Sequence, residues 1–491
     1  MQEQRMRTNE MPKGTQRELT RREVITAGLG VAGVAVLHSF APSESQGQGG
    51  RGRGMKPIAY SPDNPAIAFT RDFCERCGEC RLCCRQIAGV EGSQVPPGED
   101  ACIYCGQCTT ICQGMAVTER FHYEDVLKIL SAEDKIPIAI MAPSLRVSIG
   151  DSFGAMPGTD LEGKLVRALR NLGFKHVLDA SFAADLIACE EAAELLARVD
   201  KGGNELPLFT SCCPAWVRFA ELFLPGAAGN LSSVKSPILA LATLAKTWLA
   251  EKEGIDPGKI VTVALAPCTA KKYERTRPEH KIRLSDGTTA DSLDFALTTR
   301  ETTLLLKAGG VTRLNSLEKD AFDALPGTAS GAGLIFGATG GVCEAAVRAA
   351  WTQVTGTEPP AELLKWEPVR SLDAVRTAEI ELGPHKIRVA VVHAASNARL
   401  FFDEMNRRKL HFDFVEVMAC PGGCVGGGGQ PRASSGDPSR VIQRRISGLY
   451  RRDEKTPVRN PATNPAVQSL YTELLEKPCS PRAVELLHVA R

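Results

Sequence analysis

The sequence predicts a two-lobed α/β domain, with parallel sheets flanked by helices, preceded by a small cysteine-rich domain that holds metal. Three observations predict it. Short β-branched apolar runs alternate with helical patterns between residues 135 and 420, as strands of parallel sheets joined by helices do. Two equal cysteine runs fall within residues 74–112. The first fifty residues differ in kind from the rest, being polar and basic, then briefly apolar, then rich in Ser, Gln, Gly and Arg.

A chain of 491 residues with 43% apolar content has room for more than one domain and can fill real cores. Its formal charge of +2 argues neither for nucleic acid nor for an anionic membrane surface as a partner, and no nucleic acid is expected. The informative count is 17 cysteines beside 8 histidines. Disulfide scaffolds are short, so clustered cysteines in a chain this long point to metal.

In chain order, Arg21-Arg22 precedes an apolar run from Ala27 to Leu37, then Ala41-Pro42 and a linker ending near Gly54. The run is too short to span a bilayer. Twin arginines before a short apolar core read as a twin-arginine export signal, which predicts a periplasmic or exported protein. A basic tail beside a small buried helix, in a cytoplasmic protein, is the bland alternative.

Cys74, Cys77, Cys80 and Cys84 form C-x2-C-x2-C-x3-C, and Cys102, Cys105, Cys108 and Cys112 repeat it. This spacing wraps a cubane, and the fourth cysteine of each run usually ligates the other cluster. It predicts a ferredoxin-like domain with two 4Fe–4S clusters. Cys74, Cys77, Cys80 and Cys112 hold one, and Cys102, Cys105, Cys108 and Cys84 hold the other. Arg85 and Gln113 stand where proline often follows the last cysteine, which weakens the turn signature but removes no ligand. Zinc is the competing metal, yet zinc sites rarely use two such tandem runs.

Residues 135–143, 259–267, 386–394 and 412–420 read as buried parallel strands, and 161–174 and 237–254 as helices. Cys268 and Cys420 fall at strand ends, where α/β domains place chemistry. Three loops, FTSCCPAWVRFAE (209–221), APCTAKKYERTRPE (266–279) and EVMACPGGCVGGGGQP (416–431), supply five cysteines in turns that let backbone approach a cofactor. Four would ligate a cubane and one would be spare.

These loops resemble the three signature loops of the iron-only (FeFe) hydrogenases, and FGATGGVCEAA (336–346) resembles a further stretch of that family. The resemblance covers roughly residues 70 to 491. It implies a six-iron H-cluster: a 4Fe–4S cubane on Cys213, Cys268, Cys420 and Cys424, bridged by Cys424 to a diiron unit with CO, cyanide and dithiolate ligands. Cys212 matches the family's free, proton-exchanging cysteine, and Lys271 the lysine that hydrogen-bonds a cyanide. APSLR (142–146) places Pro143 and Ser144 at the diiron site, with Ser236 and Met418 as further pocket residues. Twelve of the seventeen cysteines then have a metal reading, leaving Cys83, Cys189, Cys212, Cys343 and Cys479.

A buried site needs titratable groups to carry protons. Residues 189–199, CEEAAELLARV, read as an amphipathic helix bearing Glu191, Glu194 and Arg198. With Ser232, these match the family's relay; alone, they would read as a solvated face with an ion pair. The tail 464–488 resembles the family's small subunit, here fused. The implied domains are 1–55 signal and linker, 56–120 ferredoxin-like, 121–435 catalytic, and 436–491 a small-subunit-like helical segment.

The implied activity is reversible hydrogen oxidation and proton reduction. Its partners are an electron-carrier protein (a ferredoxin or c-type cytochrome), maturation enzymes and the export machinery. Ala266 and Ile238 depart from the family's usual methionine and glutamine, which alters packing and hydrogen bonding near the diiron ligands. The rival expectations are a hydrogen sensor with slow turnover and a hydrogenase-like iron–sulfur assembly factor.

Overall fold

The structure, a computed structural model, describes residues 57–489 apart from 97–98, 203–204, 285–286, 361–362, 365, 370–371 and 433–436. The expected export signal, with Arg21 and Arg22, lies outside the described residues.

Two sheets carry the α/β frame. The first is parallel throughout, in the order His176–Asp179, Ile136–Met141, Ile260–Leu265, Phe295–Leu297. Every residue of Ile260–Leu265 is buried, as the continuous apolar run requires of a strand covered on both faces. The second sheet runs Glu367–Val369, Leu372–Leu382, His385–His393, Phe414–Met418, Leu208–Phe209.

Here the expectation of parallel sheets needs correction. Only the last two pairings are parallel; the first two are antiparallel. Two residues, Gly383-Pro384, join Leu382 to His385, and a connection that short permits only an antiparallel return. Gly383 takes φ +59 there, and a Cβ would meet Val354 Cγ1 at 2.5 Å.

The helix Ala180–Lys201 joins the two halves. Asp179 caps it by accepting from the Ser181 N–H at 2.9 Å. Ala180 and Ala183 pack with Ile138 and Ile140 of the parallel sheet, whereas Leu186 and Ile187 pack with Ile387 and Val389 of the mixed one. The expected amphipathic segment 189–199 is therefore part of a longer helix that is buried on all sides through Ala192. Its glutamates meet protein where a solvated face would meet water.

Ahead of the sheets, Ile67–Phe69 pairs antiparallel with Val117–Glu119 and brackets both cysteine runs. After them, the helix Pro438–Lys455 starts on an Asp437 cap. The chain then packs Val467, Leu470, Leu475, Leu486 and Leu487 into the core cluster that holds Leu186 and Ile187. Burial of a side chain of this size contributes about 1.5–3 kcal/mol before entropy is counted.

Candidate metal centre

Loops leaving both sheets converge on one pocket. Cys213 precedes the helix Pro214–Phe223, whose Pro214 fits the first turn. Cys268 follows Ile260–Leu265, and Cys420 and Cys424 follow Phe414–Met418. The third loop is pinned on two sides. Gly429 N–H donates to Pro267 O at 2.8 Å, while Val425 N–H donates to Gly337 O and Gly422 O accepts from Thr339 N–H, both at 3.0 Å. A Cβ on Gly427 would meet Pro267 O at 2.4 Å, so only glycine lets these two loops touch.

The four thiols face one another. Burial pushes Cys268 up to about 12, with Cys213 the next cause; burial also raises Cys420, helped by Cys213 and Cys268, and Cys424, helped by all three of the others. Among the described residues no three of these sulfurs lie within 4.8 Å of one another. A single zinc ion, at about 2.3 Å from each sulfur, would hold them about 3.8 Å apart. Wider spacing suits a cluster whose irons sit between the ligands, and zinc fits poorly.

The upstream cysteine runs share one backbone pattern. Arg76 and Gly78 take φ +55 and +79, and Tyr104 and Gly106, at the equivalent places, take +59 and +70. Each turn leads into a short helix, Glu79–Cys83 or Gln107–Ile111. The fourth cysteine of each run has a thiol of the other run among its neighbours. Burial raises Cys84 to about 12, with the Cys102 thiol as the next cause, and Cys77 is among the neighbours that raise Cys112. Gly114, two residues after Cys112, lies so close to the Cys74 loop that a Cβ would meet Phe73 O at 2.7 Å. Cys83 is fully buried beside Cys108, Cys84 and Cys80.

The second run abuts the four-thiol pocket. Gln107 Nε2 donates to Gly426 O at 2.8 Å, Thr109 Oγ1 to Gly428 O at 3.1 Å, and Thr269 Oγ1 to Tyr104 O at 2.6 Å. A Cβ on Gly428 would lie 2.1 Å from Cys105 O.

Cys212, half-buried beside Cys213, is raised by burial and then by Glu191. Glu191 is fully buried; burial first, then the Glu194 and Glu416 carboxylates, push it up to about 8. Neither Glu191 oxygen closes a hydrogen bond of ordinary geometry, although the Ser211 N–H and the Ser232 hydroxyl lie near enough to oppose the rise. Ser232 Oγ donates to Glu194 Oε2 at 2.7 Å, and Arg198 Nη2 meets Glu194 Oε1 at 2.7 Å. Cys212, Glu191, Ser232, Glu194 and Arg198 thus lie in file from the pocket outward.

Lys271 Nζ donates to Ser236 Oγ and to Glu274 Oε2, both at 2.6 Å, and its charge reaches Cys268 and Cys212. Pro143 opens the turn Pro143–Val147 after Ile136–Met141; Ser144 in that turn is buried with its hydroxyl unpartnered, and its Cβ lies against Gly337. Met418 ends its strand buried, and Ala266 and Ile238 are buried too.

One residue of the site escaped the sequence reading. Glu416, fully buried, accepts from Gly340 N–H at 2.7 Å and Cys343 N–H at 2.9 Å and is pushed up to about 7, mainly by burial. The signal was present, a single glutamate inside the apolar strand FVEVM.

Thiols from two sheets around one pocket, with two further cysteine runs against it, define an α/β protein built to hold iron–sulfur clusters. Residues 135–428 match the iron only hydrogenase large subunit, C-terminal domain, and residues 439–490 the iron hydrogenase small subunit. The chain belongs to the iron-only hydrogenase family, with a small-subunit segment fused at its C-terminal side. It is 40% identical over 375 residues to iron hydrogenase 1 of Clostridium pasteurianum, covering 76% of this chain and 64% of that protein, a little under two thirds. It resembles the apo FeFe-hydrogenase structure from Chlamydomonas reinhardtii with a TM-score of 0.66 at 35% identity, over 75% of this chain and 98% of that one. Cytosolic iron-sulfur assembly component 3 of Mus musculus is also similar, 29% identical over 392 residues, covering 76% of this chain and 79% of that protein.

Proposed function

We propose that this chain is a hydrogenase that interconverts molecular hydrogen with protons and electrons at a six-iron H-cluster. Cys213, Cys268, Cys420 and Cys424 would hold its cubane. Two 4Fe–4S clusters on the upstream runs, in a ferredoxin-like domain over 56–120, carry electrons to a ferredoxin or c-type cytochrome. The catalytic domain extends over 121–435 and the small-subunit-like segment over 436–491. Maturation enzymes complete the diiron unit, and the twin-arginine machinery exports the folded chain through residues 1–55.

The observation that carries the reading is the file of titratable groups from Cys212 to Arg198, which a protein that only stored a cubane would not need. When bound, the H-cluster would supply the metal chemistry that makes or splits the H–H bond. The chain's part is to move protons. The Cys212 thiol, kept protonated by burial and by the Glu191 carboxylate beside it, is placed to give a proton and to recover one. Glu191, held near neutral by burial, passes it on, and the Ser232 hydroxyl bridges to Glu194. Arg198 holds Glu194 in place at the outer end. Lys271 places a buried positive charge beside Cys268 and Cys212, and Ser144 carries a buried, unpartnered hydroxyl. Contact between the Cys105 turn and the third loop supports electron entry there.

The test uses chain matured with its assembly enzymes. Infrared bands of metal-bound CO and cyanide are expected, together with hydrogen evolution. Cys212→Ser should keep its iron and those bands while its rate falls about 10²–10⁴-fold, the range of general acid–base catalysis. Cys213→Ser should lose iron. Cubanes without CO and cyanide bands after maturation would instead make the chain an assembly factor like its mouse relative. An unchanged rate in Cys212→Ser would show that protons leave by another route.

A further inference from the structure

Outside the pocket, three ligand-bearing side chains of different chemistry meet where the buried helix touches the C-terminal segment. Glu190, Cys479 and His488 present a carboxylate oxygen, a sulfur and a ring nitrogen within 4.8 Å of one another. Among the described residues no other set of three His, Cys, Asp or Glu side chains does so. We propose that these three residues form a binding site for a divalent transition-metal ion of the zinc class.

The donors are already oriented by partners that a metal would not displace. Tyr471 O–H donates to Glu190 Oε1 at 2.6 Å, while Oε2 accepts from the Cys479 backbone N–H at 2.7 Å and faces the other two groups. His488 Nδ1 shares a hydrogen bond with the Ser233 hydroxyl at 2.8 Å, so Nε2 points inward, 3.0 Å from Glu190 Oε2. Such outer partners fix the ring and the carboxylate of zinc sites. The Nε2–Oε2 gap is near the edge of a tetrahedron whose metal bonds are about 2.0–2.1 Å long.

Glu190 and His488 are buried, whereas Cys479 is solvent-exposed and provides both an entry path and room for a water as fourth ligand. A mixed sulfur, imidazole and carboxylate set favours zinc over magnesium or calcium, which take oxygen. An ion here would bond the helix Ala180–Lys201 directly to the C-terminal segment, replacing the His488–Glu190 contact with two metal bonds.

The site also touches the proposed proton route. Ser233, which holds His488, donates to Glu194 through its backbone N–H at 3.2 Å. This second aspect rests on the hydrogenase reading; the metal site does not.

The test uses the chain with its iron–sulfur clusters in place, dialysed against zinc chloride, with zinc and iron counted by mass spectrometry. One zinc per chain is expected. X-ray absorption at the zinc edge should show one sulfur neighbour at about 2.3 Å. Both signals should disappear in Cys479→Ser, a near-isosteric change at an exposed position, and in His488→Gln. Iron content and circular dichroism of Cys479→Ser should match the parent, which separates ligand loss from misfolding. A parent that binds no zinc, or a Cys479→Ser chain that keeps its zinc and its spectrum, overturns the proposal. Neither outcome depends on hydrogen turnover. If zinc binds as expected but hydrogen evolution is untouched by it, the site stands and only its link to the proton route fails.

Discussion

Glu191 shows how little a side chain's neighbourhood in sequence says when no resemblance is added to it. A glutamate next to another glutamate on a helix reads as solvated, yet this one is fully buried with its proton held to about 8. The sign of its effect on stability follows from that rise. Between pH 4.5 and about 8 the folded chain binds more protons at this site than the unfolded chain. Its contribution is therefore present at low pH and is lost as pH climbs through the window. Glu191→Gln removes the titration, so its melting temperature should fall less steeply with pH than the parent's over that range. Equal slopes would show that Glu191 carries no such proton. Cysteine spacing, in contrast, was legible residue by residue, because ligand geometry is local. Glu416 is visible only as an odd charge in FVEVM, and nothing there says that its carboxylate will receive the N–H groups of Gly340 and Cys343.

Among elements, the buried strands were legible because continuous β-branched runs leave few alternatives. The hairpin of the second sheet was hidden by its own composition: Leu372–Leu382 alternates charged and apolar residues, and its turn is only Gly383-Pro384. The length of Ala180–Lys201 was likewise hidden, because burial between two sheets erases the polar stripe that marks a surface helix. Contact between the Cys105 turn and the third loop can be tested directly. Gly428→Ala would place a Cβ 2.1 Å from Cys105 O. Overpacking of this kind costs about 1–3 kcal/mol, so a lower melting temperature and slower reduction of the buried centre by an external donor are expected. If both stay at parental values, the two loops are not in the contact described.

At the scale of the whole molecule, cluster content and destination are separable. The ligand sets call for about fourteen irons per fully matured chain, and about twelve when the maturation enzymes are absent. Iron assays of the two preparations should differ by about two, and full hydrogen chemistry in the second would contradict the assignment. On the export reading proposed above, replacing Arg21 and Arg22 by lysine should leave an active enzyme in the cytoplasm, because such a signal is read by a receptor and not by the fold. Fractionation checks this, and a parent found only in the cytosol with its N-terminus intact overturns the export reading.

The four pocket thiols do not come from one sheet. Cys268 hangs from the parallel sheet, whereas Cys213, Cys420 and Cys424 hang from the mixed one. Any group bonded to all four is a cross-link between two independently hydrogen-bonded bodies, and its binding energy opposes their separation. By reciprocity, whatever pries the sheets apart weakens the grip on iron. Iron release should therefore precede melting of either sheet on heating, and amide exchange near the facing strand ends should quicken once the iron has left.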